Sequence, residues 1–214
     1  KPLLKFDVAS NLTIPSVSMN GSTGVSIFAL VRVNVKTSFG MFACYGVGAA
    51  GSLNLRQVSN TGRASFVSGL NNTGAGEIVA TAVGNTTDLE GRGFVLLSGF
   101  YNSSNAEWQL YENDSLMHTN TNAFTLASAE SFYIGQRNNS YNLNGDIAEL
   151  IVYNNNLNDT EKTLIRSYLF NKYAPPVNLG PDILVCDTSY LLSCPGFFKK
   201  YTWSTGDTTS FIIV

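Results

Sequence analysis

Ten short runs of apolar or alternating residues occupy most of the chain between residues 3 and 153, separated by clusters of Gly, Asn, Ser and Thr. Such runs predict β-strands, and Asn20-Gly21, Asn144-Gly145 and Gly91-Arg92-Gly93 predict tight turns between strands. No helical period occurs before residue 158, which argues against a βαβ fold. The pattern predicts an all-β fold, an antiparallel jelly-roll β-sandwich. The runs are LLKFDV, VSIFALVRVNV, GMFACYG, SLNLRQV, ASFVSG, EIVATAV, FVLLSGFY, EWQLYE, SFYIG and DIAELIVY.

The period changes to a helical one at residue 158. Asn158 and Glu161 have the spacing of a capping box, and Asp159 and Glu161 suit the positive end of a helix dipole. Pro175-Pro176 would stop the helix, and residues 175–181 would form a short, stiff linker. One C-terminal α-helix is therefore expected. Its packing face is predicted to be the stripe Leu164, Ile165, Tyr168, Leu169 and Tyr173.

Residues 182–214 contain three more strand-like runs and the turn WSTGD. About thirty residues are too few for a stable sandwich, so this segment is expected to be the beginning of a second β-module. Cys186 and Cys194 are spaced so that a disulfide between them would close a short loop, which would imply an oxidising, extracytoplasmic setting. Cys44 is flanked by apolar residues and is expected to be a small buried thiol.

The surface is expected to be rich in hydroxyl and amide groups, because charged residues make up only 13% of the chain. The net charge is −2, and the 13 basic residues are scattered singly. No basic patch can therefore neutralise a phosphate backbone, and nucleic acid is not expected as a partner. No apolar run is long enough to cross a bilayer, so membrane insertion is not expected either. The first residues lack a signal-peptide pattern, so any export signal would lie outside this sequence.

Several segments follow one another in an order that resembles the bacterial laminin G-like branch of the concanavalin A-like lectin/glucanase superfamily. They are LLKFDV, SIFALVRV, GFVLLSGFYN, EWQLYEND, FYIGQRN and GDIAELIVYNNNLNDTEKTLIRSYLFNKY. The last segment is the most specific, because it joins a final long strand, an Asn-rich turn and a capped helix that ends in Lys-Tyr. The resemblance implies a laminin G-like domain over residues 1–174.

The same resemblance implies a calcium ion held by an Asp and backbone carbonyls. The candidate ligands are Asp7 in KFDV, Asp114 in the turn after EWQLYE, and Asp146 at the start of the last strand. Many relatives have an Asp where Ala148 stands here, so one expected ligand is missing. Without a metal, Asp146 would be a polar residue leaving the Asn144-Gly145 turn.

The tail resembles the immunoglobulin-like or PKD-like modules of large surface proteins of Bacteroidetes, with Trp203 as the core tryptophan. The pairing of a laminin G-like domain with a partial Ig-like β segment implies a multidomain protein that is secreted or on the cell surface. Further domains of the same polypeptide are then expected partners.

Catalytic patterns are weak. Asp146 and Glu149 are three apart on one predicted strand, so alternation places them on opposite faces. Two pairs have the i, i+2 spacing that brings carboxylates to one face, Asp88/Glu90 and Glu112/Asp114, but both lie in or near turns. The Glu-x-Asp-x-x-Glu pattern of related glucanases does not occur, and the one histidine, His118, lies in a turn-like context. We therefore expect no enzymatic activity.

Sugar binding asks for aromatic platforms beside amide and guanidinium groups. The loop QRNNSYNLNG supplies Arg137, Asn138, Asn139 and Tyr141, and three residues near strand ends, Tyr101, Asn102 and Tyr111, are further candidates. The sequence therefore favours a non-catalytic carbohydrate-binding or adhesion module whose partner is a polysaccharide or surface glycan. A glycoside hydrolase and a ligand-free structural spacer remain alternatives.

Overall fold

The structure is a computed structural model that describes residues 3–7, 10–19, 23–47, 51–68, 78–81, 87–127, 129–173, 179, 189–194 and 201–214, with only the backbone of 78–81. The chain divides into two compact units, Lys1–Asn158 and Asp159–Val214. The predicted linker lies almost entirely outside the described residues, and the predicted domain limits stay a prediction.

The first unit is an antiparallel β-sandwich, as predicted. Its strands are β1 (Leu4–Phe6), β2 (Leu12–Ser18), β3 (Gly24–Val35), β4 (Met41–Tyr45), β5 (Leu53–Gln57), β6 (Ala64–Ser68), β7 (Ile78–Thr81), β8 (Val95–Asn102), β9 (Glu107–Glu112), β10 (Ser115–Thr121), β11 (Ala129–Ile134) and β12 (Asn144–Tyr153). Sheet A has the order β1-β12-β3-β8-β9-β10, and sheet B has the order β2-β11-β4-β5-β6-β7. A short 3-10 turn, Ser59–Thr61, joins β5 and β6.

All ten predicted runs form strands, and two strands were not predicted. These are β2 and β10, which lie at an edge of sheet B and an edge of sheet A. Both are largely exposed, and β2 contains Pro15. An edge strand needs no buried apolar face, so its sequence does not have to alternate.

The core lies between the two sheets. On β3 every second residue points inward, from Val25 to Val33, and on β9 the inward residues are Trp108 and Leu110. These side chains are almost completely buried, and each fully buried large apolar side chain stabilises the fold by about 1.5–3 kcal/mol. Gly99 on β8 leaves room for the ring of Phe66 from sheet B, because a Cβ there would lie 2.7 Å from that ring.

Two irregularities at β12 correct expectations from the sequence. Asn144 and Gly145 do not form a turn; they begin β12, with a register shift between them. A second shift lies between Ile147 and Glu149, so that Glu149 pairs with Leu30 while Asp146 pairs with Arg32. Because Leu30 and Arg32 share one face of β3, Asp146 and Glu149 lie on the same outer face of sheet A, and the prediction of opposite faces was wrong.

The second unit contains the helix α1 (Asp159–Tyr173), with Asp159 and Glu161 in its first turn and Lys172 in its last. Its start agrees with an N-cap at Asn158, and the capping box itself stays a prediction. The predicted stripe was partly wrong, because Leu164 and Tyr168 are 64% and 43% exposed. Leu169 is buried as predicted, together with Lys162 and Phe170. At about 100° per residue, these three lie on the side of the helix opposite to Leu164 and Tyr168. Within the described part of the chain, no helix is long and apolar enough to span a bilayer.

The tail forms a small two-stranded sheet of β13 (Leu191–Ser193) and β14 (Phe211–Ile213). The indole Nε1 of Trp203 donates a hydrogen bond of 2.8 Å to the carbonyl of Thr209. Cys194 is buried, but Cys186 lies outside the described residues, so the disulfide stays a prediction. The same holds for the Ig-like or PKD-like assignment.

Candidate functional site

A tight turn at Asn138 and Asn139 follows β11 and carries the loop that the sequence singles out. Arg137 and Ser140 exchange both backbone hydrogen bonds, at 2.8 and 2.9 Å. The two residues between them have φ of 43° and 62°, the left-handed values of a two-residue hairpin turn that Asn tolerates well. Both are exposed. The turn therefore holds two amide side chains at the surface.

A second loop, residues 36–40 between β3 and β4, is tied to the first. The hydroxyl of Thr37 donates to the carbonyl of Asn142 at 2.7 Å, and the amide of Met41 donates to the carbonyl of Tyr141 at 3.0 Å. The amide of Thr37 donates to Oε1 of Gln57 on β5 at 3.1 Å. These bonds fix the two loops relative to each other and to sheet B.

Four side chains from these loops and from β5 form a continuous row, here called the arginine–aromatic stack. The guanidinium carbon of Arg137 lies 4.5 Å from the centre of the Tyr141 ring. The rings of Tyr141 and Phe39 meet edge to face, 5.8 Å between centres and 79° between planes. The guanidinium carbon of Arg56 lies 4.6 Å from the centre of the Phe39 ring. Both ends of the row are cationic, and both middle members are aromatic.

The two aromatic residues of the stack have strained backbones. Phe39 and Tyr141 both have φ of 57°, in a region that bulky residues rarely adopt. Such a conformation costs on the order of 1–3 kcal/mol and persists only where the surroundings enforce it. The hydrogen bonds between the two loops provide that constraint, and strain of this kind is typical of binding sites.

Below the stack, the outer face of sheet B is polar and buried. Arg56 pairs across the strands with Ser65, and Asn54 pairs with Cys44. All four are at most 3% exposed. The Ser65 hydroxyl has no hydrogen-bond partner among the described residues. Burial raises the pKa of Cys44 to about 12, and the nearby positive charges of Arg137 and Arg56 act in the opposite direction. Both guanidinium groups therefore lie close to this face of sheet B.

The other predicted ligand residues do not join this site. Tyr101 is corrected to a core residue, because it is only 3% exposed and its hydroxyl donates to the carbonyl of Phe124 at 2.9 Å. Asn102, at the end of β8, accepts hydrogen bonds from Ser104 in a local turn. Tyr111 lies on the outer face of sheet A, opposite to the core residues of β9 as expected, and its ring meets Phe100 edge to face at 5.6 Å.

The sequence did not single out Phe39 or Arg56. Arg56 comes from a strand and Phe39 from the loop before β4, and both are far in sequence from Arg137 and Tyr141. Only the pairing of β4 with β5 and β11 brings them together. The sequence contains one weak indication that Phe39 has a special role. In the segment TSFG it occupies a turn just before a glycine, where smaller polar residues are usual.

The three candidate calcium ligands are not assembled into one site. Asp146 lies on β12, and Asp114 lies in the β9–β10 turn, three strands away across sheet A, or about 14 Å at normal strand spacing. Asp7 follows β1 and accepts a 2.7 Å hydrogen bond from the Ser10 hydroxyl. Among the described residues, no group of three or more His, Cys, Asp or Glu side chains could hold a metal ion. Calcium binding therefore rests on the family resemblance alone.

Three of the four carboxylates with hydrolase-like spacing are bound to cations. Lys36 Nζ lies 2.7 Å from Asp88 and 3.1 Å from Glu90, and its hydrogen bond lowers the pKa of Asp88. Arg92 Nη1 lies 2.6 Å from Glu112. Asp88 and Glu90 therefore share one lysine, and Glu112 is paired with an arginine.

Comparison with known proteins supports the fold assignment. The sequence profile of a laminin G-like family (Laminin_G_3), described as the concanavalin A-like lectin/glucanases superfamily, matches residues 6–161. No curated protein sequence matches the chain significantly.

Several solved structures share the fold at low sequence identity. One is domain 4 of AbnA, a GH43 extracellular arabinanase from Geobacillus stearothermophilus in complex with arabinotriose, with a TM-score of 0.58, 18% identity, and coverage of 77% of this chain and 75% of that chain. Another is the Ruminococcus gnavus IT-sialidase CBM40 bound to alpha2,3 sialyllactose, with a TM-score of 0.52, 16% identity, and coverage of 72% and 97%. A leech intramolecular trans-sialidase matches with a TM-score of 0.50 and 16% identity over 71% of this chain, but over only 26% of its own. Since the family profile spans well over half of the sequence, the chain belongs to the laminin G-like family of the concanavalin A-like lectin/glucanases superfamily.

Proposed function

We propose that this chain is a non-catalytic carbohydrate-binding module that binds a glycan at the arginine–aromatic stack. The observation that carries the proposal is the pair of strained aromatic residues, Phe39 and Tyr141, each held against an arginine. A module of this kind would serve attachment or adhesion within a larger secreted or cell-surface protein.

The chemistry of the stack suits a sugar. Sugar rings place their C–H faces on aromatic rings, while their hydroxyl groups pair with amides and guanidinium groups. Tyr141 is partly exposed, and Asn138 and Asn139 beside it are exposed. Since the turn and the loop-to-loop hydrogen bonds hold these groups in place, little conformational entropy is lost when a ligand binds.

The structural neighbours support the same class of function. The R. gnavus module is bound to sialyllactose and the arabinanase domain is bound to arabinotriose, so this fold presents glycan sites in other proteins. A non-catalytic role is supported by the carboxylates, since Asp88, Glu90, Glu112 and Asp146 are each paired with a lysine or an arginine. A general acid in a hydrolase needs a raised pKa, which a neighbouring cation opposes.

Glycan-array binding, followed by calorimetric titration of the best ligand with and without calcium, tests the proposal. The key variant is Tyr141→Ala, and Tyr111→Ala is its control, since Tyr111 also contacts another aromatic ring but lies on sheet A. We expect Tyr141→Ala to weaken binding by about fivefold or more, as a stacking loss of about 1–3 kcal/mol implies, and Tyr111→Ala to bind normally. If the folded chain binds no glycan under either condition, the proposed function is wrong. An equal loss of glycan affinity in both variants would show that the glycan does not bind at the stack.

A further inference from the structure

We infer that the glycan bound at the arginine–aromatic stack is anionic, with a carboxylate or sulfate group that is recognised by Arg137. This inference rests on the proposed carbohydrate-binding function and adds a ligand class to it. The argument uses the charges around the stack, the geometry of Arg137 and the polar groups below it.

Among the described residues, Arg137 has no acidic partner. The cations of the ion pairs found there are Arg32, Lys36, Arg92 and Lys162. The Nη1 atom of Arg137 is buried and has no hydrogen-bond partner in the described part of the chain, although the side chain as a whole is partly exposed. A buried donor without an acceptor is unfavourable, so an acceptor from a ligand would be stabilising here.

The stacking of Arg137 on Tyr141 leaves the guanidinium able to bind an oxyanion. A guanidinium that lies over a ring uses its flat face for the ring and keeps the N–H groups on its edge for other partners. Those edge donors match the two oxygens of a carboxylate or sulfate, and such charge-assisted bonds are about twice as strong as neutral ones. A neutral sugar hydroxyl can accept from the same donors, but it forms weaker hydrogen bonds with them.

Arg56 adds a second positive charge on the same side of the sandwich. It lies under Phe39 at the other end of the stack and is only 3% exposed, so it acts through its field and not by direct contact. Low-dielectric surroundings strengthen that field. The effect of both arginines on the buried Cys44 thiol supports their closeness to one point of sheet B. Beside Arg56, the buried Ser65 hydroxyl is a further donor without a partner among the described residues.

The test compares matched acidic and neutral ligands by calorimetric titration. Trigalacturonate against galactotriose examines a carboxylate, and sulfated lactose against lactose examines a sulfate. The variants are Arg137→Gln, which removes the charge, and Arg137→Lys, which keeps the charge but loses the paired N–H donors of the guanidinium group. Lys5→Gln is the control, because it removes one exposed positive charge from sheet A and changes the net charge equally.

We expect at least one acidic ligand to bind about tenfold more tightly than its neutral counterpart, with an affinity that falls as salt increases. Arg137→Gln should abolish that preference by weakening acidic ligands much more than neutral ones, Arg137→Lys should restore part of it, and Lys5→Gln should keep it. The ligand pair that shows the preference identifies the anionic group as a carboxylate or as a sulfate. If both neutral sugars bind as tightly as their acidic counterparts, or more tightly, the inference is wrong and the proposed function stands. If none of the four ligands binds and the glycan array is also negative, both are wrong.

Discussion

Arg32 donates two hydrogen bonds to a single oxygen of Asp146, from Nε at 3.0 Å and from Nη2 at 2.8 Å. Asn34 adds a longer one to the same oxygen, at 3.4 Å. Arg32 and Asp146 are cross-strand neighbours on β3 and β12, and their side chains are 40% and 3% exposed. The pair therefore joins the last strand of the sandwich to the middle of sheet A through a carboxylate that is almost completely buried.

Replacing Arg32 should destabilise the sandwich more than its surface position suggests. In Arg32→Met the Asp146 carboxylate stays buried without its two strongest donors, which costs about 1.5–3 kcal/mol. Urea denaturation measures the loss. Lys5→Met is a suitable control, because Lys5 is the other cross-strand neighbour of Asp146 but is exposed. Equal stability of the two variants would show that the Arg32–Asp146 bonds contribute nothing.

The same contact affects calcium binding. A cation at Asp146 would compete with Arg32 for one oxygen, and Asp7 and Asp114 are not assembled around it. We expect the thermal midpoint to be the same in millimolar calcium chloride and in chelator, because a ligand stabilises a protein only if it binds the folded state. A higher midpoint in calcium that is lost in Asp114→Asn would instead locate a cation at the β9–β10 turn.

The fold was largely predictable from the sequence because its determinants are local. Alternation along β3 and β9 and the cap before α1 each depend on a few adjacent residues. The face of sheet A on which Glu149 lies was not predictable. A β-bulge at Ala148 changes the alternation of side chains, and the amino-acid composition does not reveal such a bulge. The packing face of α1 was predicted only in part, because apolar spacing alone does not exclude exposed residues such as Leu164.

The candidate site was predictable only in part. Arg137 to Tyr141 could be found because Asn-rich turns are a local pattern, whereas Phe39 and Arg56 reach them only through the pairing of distant strands. Tyr101 was misassigned for a different reason. Both faces of β8 are buried, so the strand has no polar face from which the direction of Tyr101 could be inferred.

Gly99 should be intolerant of any side chain. Its Cβ would lie 2.7 Å from the ring of Phe66 across the sandwich, and overpacking of this kind costs about 1–3 kcal/mol. We expect Gly99→Ala to lower the urea midpoint and Gly99→Val to lower it further. Ser98→Ala, one residue away, removes a buried hydroxyl that has no partner among the described residues, so it should be neutral or slightly stabilising. An unchanged urea midpoint in Gly99→Ala would mean that the two sheets are farther apart than in this structure.

Cys44 should make the protein sensitive to alkaline pH. Burial raises the pKa of its thiol from 9.0 to about 12, so above pH 9 the unfolded chain releases a proton that the folded chain keeps. The stability that this thiol contributes is complete below the unfolded pKa and is lost as pH rises, by about 1.4 kcal/mol per pH unit until the folded pKa is reached. Urea denaturation of wild type and Cys44→Ala from about pH 8 to about pH 10.5 isolates the effect, because other ionising groups act equally in both. The difference in stability between the two proteins should change steadily in favour of Cys44→Ala over that range. A constant difference would mean that Cys44 ionises with the same pKa in the folded and unfolded states, and so is not buried as the structure has it.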